Sequence, residues 1–166
     1  MRDFTRPGGT LGRLDPGVKV VYTAFLAFTL LGVATIGVLH VDGMGTAAST
    51  AQAYWAGDGE MTYPKSYRQL LELTHFHLFT EPVTWLILAH LYHLGGDPLK
   101  RRIGVSIVSI VAIAVQITLP WIVVYGPASL AAAMLPCHAV VGLTLGYMAF
   151  AAIRDMWFTR TQSPSA

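Results

Sequence analysis

The sequence predicts an all-α membrane protein, a transmembrane four-helix bundle of up-down-up-down topology with both termini cytoplasmic. Three observations lead there. Of 166 residues, 54% are hydrophobic and only 12% charged, with a mean hydropathy of +0.52; a soluble domain carries about 25% charged residues. Four apolar segments each approach or exceed the roughly 20 residues a helix needs to cross a hydrocarbon core. The basic residues between them fall strongly to one side. Isolated strands cannot satisfy their backbone in lipid, so each segment reads as a helix. The length suggests one domain, residues 1–166.

The first helix is expected at about 18–40. Its basic start and the downstream Ala51-Gln52-Ala53 suggest a signal peptide. The apolar stretch, however, exceeds the roughly 7–15 residues of a signal h-region, so it reads as an uncleaved first helix. Residues 41–66 follow as a periplasmic loop, too small for its own core. Tyr54, Trp55 and Tyr63 place this loop on the membrane interface, as aromatic belts do. The second helix is expected at about 67–95, ended by Asp97-Pro98. The third, 103–125, and the fourth, 128–157, are joined by Gly126-Pro127, a tight turn that makes them antiparallel neighbours.

Orientation follows from charge. Arg2, Arg6, Arg13 and Lys19 precede the first helix, Lys100, Arg101 and Arg102 lie between the second and third, and Arg154 and Arg160 close the fourth. On a four-span topology these share one face, opposed only by Lys65 and Arg68. The rule that basic loops stay inside makes that face cytoplasmic, in a bacterial inner membrane crossed several times. The net charge of +2 gives no reason to expect a nucleic-acid partner. The one cysteine, Cys137, forms no internal disulfide and reads as a small buried core residue.

The chemistry is carried by six histidines: His40, His75, His77, His90, His93 and His138. Ionisable groups inside membrane spans are costly and usually face a bundle interior or a functional site. At about 100° per residue, His75, His90 and His93 share one side of the second helix with Glu72. His77 points almost the opposite way, with Glu81 one turn on. One of His75 and His77 is expected to ligate while the other makes hydrogen bonds, and Glu81 suits the ring of His77 as an acceptor. Pro82 removes a backbone donor nearby.

His138 lies about ten residues into the fourth helix, or ~15 Å down, where it can meet His75 or His77 across the bundle. A pair of histidines on different helices is what a hexacoordinate b-type haem requires. Gly142 and Gly146 line the face of His138 and leave room for a flat macrocycle, although GxxxG spacing equally marks close helix packing. Gly32 and Gly37 carry the same ambiguity. His90, ~20 Å further along the second helix than His77, would serve a second haem only with an unusual partner such as Met156 or a neighbouring subunit. His40 and His93 lie nearer the interfaces.

The stretch Tyr63-Pro64-Lys65-Ser66-Tyr67, followed by Leu71-Glu72-Leu73-Thr74-His75-Phe76-His77-Leu78-Phe79, Pro82 and Leu88-Ala89-His90-Leu91, resembles a segment of small, poorly characterised bacterial four-helix membrane proteins. The loop Tyr54-Trp55-Ala56-Gly57 has a similar look, and the resemblance covers about half of the chain. It implies a bacterial inner-membrane protein. In architecture the chain is also similar to membrane-bound b-type cytochromes, which pass electrons between quinol and a redox partner. That resemblance implies haem b held by His75, His77, His90 and His138, although two complete ligand pairs are not evident.

Three functional classes follow. The first is a b-type cytochrome, an electron-transfer subunit rather than a stand-alone catalyst, working with other membrane subunits, a quinone and a periplasmic c-type cytochrome. The second is an accessory subunit of a respiratory or photosynthetic complex without its own cofactor. The third is a copper- or zinc-binding protein using His75, His77 and His138, with His40 on the same outer side, since imidazole suits these metals.

Overall fold

The structure, a computed structural model, describes residues 11–158. Arg2, Arg6 and Arg160, used above for orientation, lie outside the described residues. After a 3₁₀ turn at Leu11–Arg13, five α-helices follow: α1 (Pro16–Met44), α2 (Ala48–Ala56), α3 (Tyr67–His93), α4 (Leu99–Tyr125) and α5 (Met134–Trp157). A 3₁₀ segment, Ala128–Ala133, leads into α5.

This corrects the expected four-helix bundle. Among the described residues, three helical stretches are long and apolar enough to cross a membrane: Pro16–Met44, Leu99–Tyr125 and Ala128–Trp157. The second expected span, α3, is equally long, but Arg68, Glu72, Glu81 and four histidines make it too polar to qualify. The topology with both termini cytoplasmic rested on counting α3 as a span, and that count is not met. The loop expected at 41–66 also differs, because α1 continues to Met44 and α2 occupies 48–56. Trp55, expected at the interface, is buried, its indole donating to Met44 Sδ at 3.0 Å.

Local signals explain the starts of α1 and α3. Asp15 caps α1, its carboxylate accepting from Gly17 N at 2.8 Å, with Pro16 at the first turn where no donor is needed. Ser66 and Gln69 form a reciprocal capping box at α3. The chain runs helically through Pro82. Between α2 and α3, Gly57 takes φ +77°, and a Cβ there would sit 2.6 Å from the Thr62 carbonyl. Asp58 closes that turn by accepting from the backbone N–H groups of Glu60, Met61 and Thr62, which lowers its pKa.

In packing, α5 is central, with α1, α3 and α4 as neighbours, and α4 lies along α3. Leu26, Leu88, Tyr92, Ile113, Met148 and Met156 anchor the larger core cluster. A second cluster, built on Met44, Trp55, Leu70, Val123 and Met134, lies where α2 covers the 3₁₀ segment. Only 6% of the most apolar window of α1 is buried, and Phe28, Phe76, Phe79 and Leu143 stand exposed. Such continuous apolar faces need lipid or a partner to cover them.

Four side-chain to side-chain bonds join α3 to α4. Trp121 Nε1 donates to Thr74 Oγ1 at 2.7 Å, and Gln116 Nε2 to Glu81 Oε1 at 2.6 Å. Trp85 Nε1 donates to Ser109 Oγ at 2.8 Å, and His93 Nε2 pairs with Ser106 Oγ at 3.0 Å. At the far end of α3 the 94–98 turn is tied to α5. Asp97 accepts from Tyr92 at 3.0 Å, Tyr147 at 2.6 Å and Arg154 at 3.0 Å. Asp155 accepts from Gly96 N at 2.6 Å and Arg154 Nε at 2.9 Å. Arg102 donates to the carbonyls of His93 and Gly95.

Burial of Asp97 alone would raise its pKa, but the bonds from Tyr147, Arg154 and Tyr92 outweigh it and the net shift is downward. A carboxylate with a depressed folded pKa stabilises above its ordinary value of 3.8 and loses that contribution as pH falls through the folded value. Asp97→Asn is expected to cost about 1.5–3 kcal/mol at neutral pH. Thermal unfolding in detergent should show wild type approaching the variant as pH falls below about 4; a gap that stays constant there contradicts the assignment. Gly57→Ala is expected to destabilise by about 1–3 kcal/mol, read the same way, because the conformation is nearly closed to residues with a Cβ.

Candidate functional site

A cleft of about 790 Å³ separates α1 from α3, with α5 as its floor. It shares Ile36, His40, Phe76, Gln116 and His138 with a second cleft of about 490 Å³ that reaches toward α2. His40, His77 and His138 all line the second cleft, and each comes from a different helix.

Hydrogen bonding fixes the tautomers of these three rings. His40 Nδ1 lies 2.8 Å from the Ile36 carbonyl and His138 Nδ1 lies 2.7 Å from the Met134 carbonyl. A carbonyl only accepts, so Nδ1 carries the proton in both. His77 Nδ1 meets Glu81 Oε1 at 2.7 Å and is likewise a donor. In each neutral ring Nε2 then holds the free lone pair, and Nδ1–H bonded to carbonyl or carboxylate is the usual support for a ligating imidazole. The rings of His40 and His138 are in contact, with centroids 3.6 Å apart and planes tilted by 47°.

Glu81 links this cluster to α4. Its Oε1 accepts from both His77 and Gln116, whereas its Oε2 is buried without a partner. Gly32 and Gly37 also line the larger cleft, and a Cβ added at either would meet nothing within 4 Å. A Cβ added at Gly142 would lie 3.5 Å from Val33 and one at Gly146 3.9 Å from Leu30, both ordinary contact distances. The glycines of α5 thus meet α1 without forcing a close approach, and those of α1 border open space.

The structure separates the two candidates, two residues apart on α3. His77 faces the cleft, while His75 is exposed with its ring 4.9 Å from Phe79. The Glu81–His77 contact expected from their spacing is present. His90 is exposed and Met156 is packed in the core. His93 is engaged with Ser106. Among the described residues no group of three or more His, Cys, Asp or Glu side chains is arranged to hold a metal ion, so His75, His77 and His138 form no such set. Cys137 is half-buried, donating to the Ala112 carbonyl at 3.4 Å.

Two participants gain their place only from the structure. His40 sits near the end of a helix, where a histidine looks solvated, and only the packing of α1 on α5 carries it to His138. Gln116 is a single amide in an apolar run, a costly placement that signals a buried partner without identifying it.

A family model described as a transmembrane helical domain, Aq_1264_TM, matches residues 45–163. The chain belongs to that family. The match makes this a multi-pass membrane protein, in agreement with its three apolar helices. Residues in the family domain include His77, Glu81, Gln116 and His138, whereas α1 with His40 precedes it. No curated protein and no solved structure matches the chain.

The tautomer assignment predicts a spectrum. In ¹⁵N-histidine NMR of the purified protein without added cofactor, His40, His77 and His138 should appear as the Nδ1-protonated form. Glu81→Leu should convert His77 alone to a mixture of tautomers. Nε2-protonated signals for His40 and His138 in wild type would refute the assignment.

Proposed function

We propose that this protein is a membrane-bound b-type cytochrome in which His77 of α3 and His138 of α5 would hold one haem b. The observation that carries the reading is the convergence on one cleft of imidazoles from separate helices, each with an unused Nε2 lone pair. Haem iron takes only two ligands from the protein, while a bare structural zinc ion commonly takes four. The lack of a group of three ligating side chains among the described residues therefore favours haem over a bare metal. His40 and His138 touch too closely for a flat ring to lie between them, which favours His77 as the opposing ligand.

When bound, the haem would supply one-electron chemistry. The chain's own part is to hold and tune. Glu81 and the Met134 carbonyl orient the two rings. The apolar walls exclude water, and Glu81 Oε2 is placed to accept a proton. In this reading electrons pass between quinol and a redox partner such as a periplasmic c-type cytochrome. The protein works as a subunit of a larger complex in a bacterial inner membrane.

The test is a dithionite-reduced minus oxidised spectrum of protein purified after expression with haem supply. Wild type should show Soret and α bands, and His77→Ala and His138→Ala should each lose the low-spin signature. His75→Ala and His90→Ala should leave it intact. Glu81→Leu should weaken haem retention about 10–100-fold through its effect on His77. Wild type without bands, or bands unchanged in His138→Ala, would overturn the proposal.

A further inference from the structure

The larger cleft combines a few polar groups with an apolar length. Along α1 its lining runs from Phe25 to Val41, about 24 Å at 1.5 Å per residue. The hydroxyls of Thr29 and Thr80 on its walls donate to carbonyls of their own helices, at 2.9 Å each. Three unused acceptors also line the cleft. Glu81 Oε2 is buried without a partner, and the Nε2 atoms of His40 and His138 keep their lone pairs.

These atoms are all acceptors, and that decides what suits them. A buried acceptor left unpaired costs about 1–3 kcal/mol. The complementary ligand brings donors. Phosphate and ester oxygens of a phospholipid bring acceptors and would meet the carboxylate and the lone pairs unfavourably. A hydroquinone ring brings two O–H donors on opposite sides of a flat aromatic ring, and its isoprenoid tail is an extended hydrocarbon. Gly32 and Gly37, which border open space, leave the passage for that tail clear.

We infer that the groove between α1 and α3 binds a lipid-soluble quinol, one hydroxyl donating to Glu81 Oε2 and the other to His40 Nε2, with the tail lying past Gly37 and Gly32. The inference deepens the cytochrome reading by locating its electron donor, but binding itself requires no haem. With His138 ligating iron, His40 in ring contact with it would join the quinol to the haem ligand.

The experiment titrates decylubiquinol into the purified full chain in nanodiscs of phosphatidylethanolamine and phosphatidylglycerol, reading quenching of tryptophan fluorescence. Saturable binding is expected, with oxidised decylubiquinone, which lacks the donors, binding about tenfold more weakly. His40→Phe should weaken quinol binding by a similar factor. Gly37→Leu and Gly32→Leu fill open space, so each should abolish binding without lowering the unfolding temperature. Non-saturating partition that is equal in wild type and both glycine variants would overturn the proposal, leaving ordinary lipid as the occupant. Equal affinity for quinol and quinone would overturn the donor assignment. Haem bands measured on the same samples keep the two readings apart: bands without saturable binding sink only the quinol site, and binding without bands sinks only the haem.

Discussion

The structure depends on one constraint: a polar side chain placed among apolar helices must find its partner on a neighbouring helix. α3 carries more polar groups than any other long helix, and α4 answers them from Thr74 to His93 through Trp121, Gln116, Ser109 and Ser106. Such bonds contribute about 0.6 kcal/mol each on average in membrane proteins, and up to about 1.7. Their larger effect is on register, since a shift of α3 by one residue would leave several donors unpaired at once. The Asp97–Arg154–Asp155 cluster fixes the adjacent turn onto α5 in the same manner.

The candidate site grows out of that register. Gln116 belongs to the α3–α4 ladder and also sets one side of Glu81. Glu81 in turn holds His77, so the orientation of a proposed iron ligand is fixed through two residues by helix pairing. On the opposite wall, His138 is set by its own helix, and His40 is brought by α1. Because α1 packs chiefly on α5, a groove stays open beside α3 and reaches Glu81, His40 and His138. The architecture thus combines a rigid pair, α3 and α4, with a more exposed α1.

Much of this was legible in the residues. The membrane setting followed from apolar length and scarce charge, and three of the four expected spans reappear, the first and third longer than expected and the fourth with the expected bounds. The near-opposite directions of His75 and His77 on α3 were fixed by the 100° step, as was the Glu81 contact. The second span was misjudged because its apolar residues were read across Arg68, Glu72 and Glu81, whose polarity matters once the whole window is averaged. α2 was missed because nine residues such as Ala48–Ala56 carry little periodic signal. His40 could not be assigned, since its position depends on which helix α1 packs against, a contact between residues about a hundred apart in sequence.

The most direct test is an experimental structure of the protein purified from its own membranes. The account predicts flat density between His77 and His138, with both Nε2 atoms directed at its centre and both Nδ1 atoms still bound to Glu81 and Met134. Rings of His77 and His138 turned away from each other, with only lipid chains between them, would contradict it.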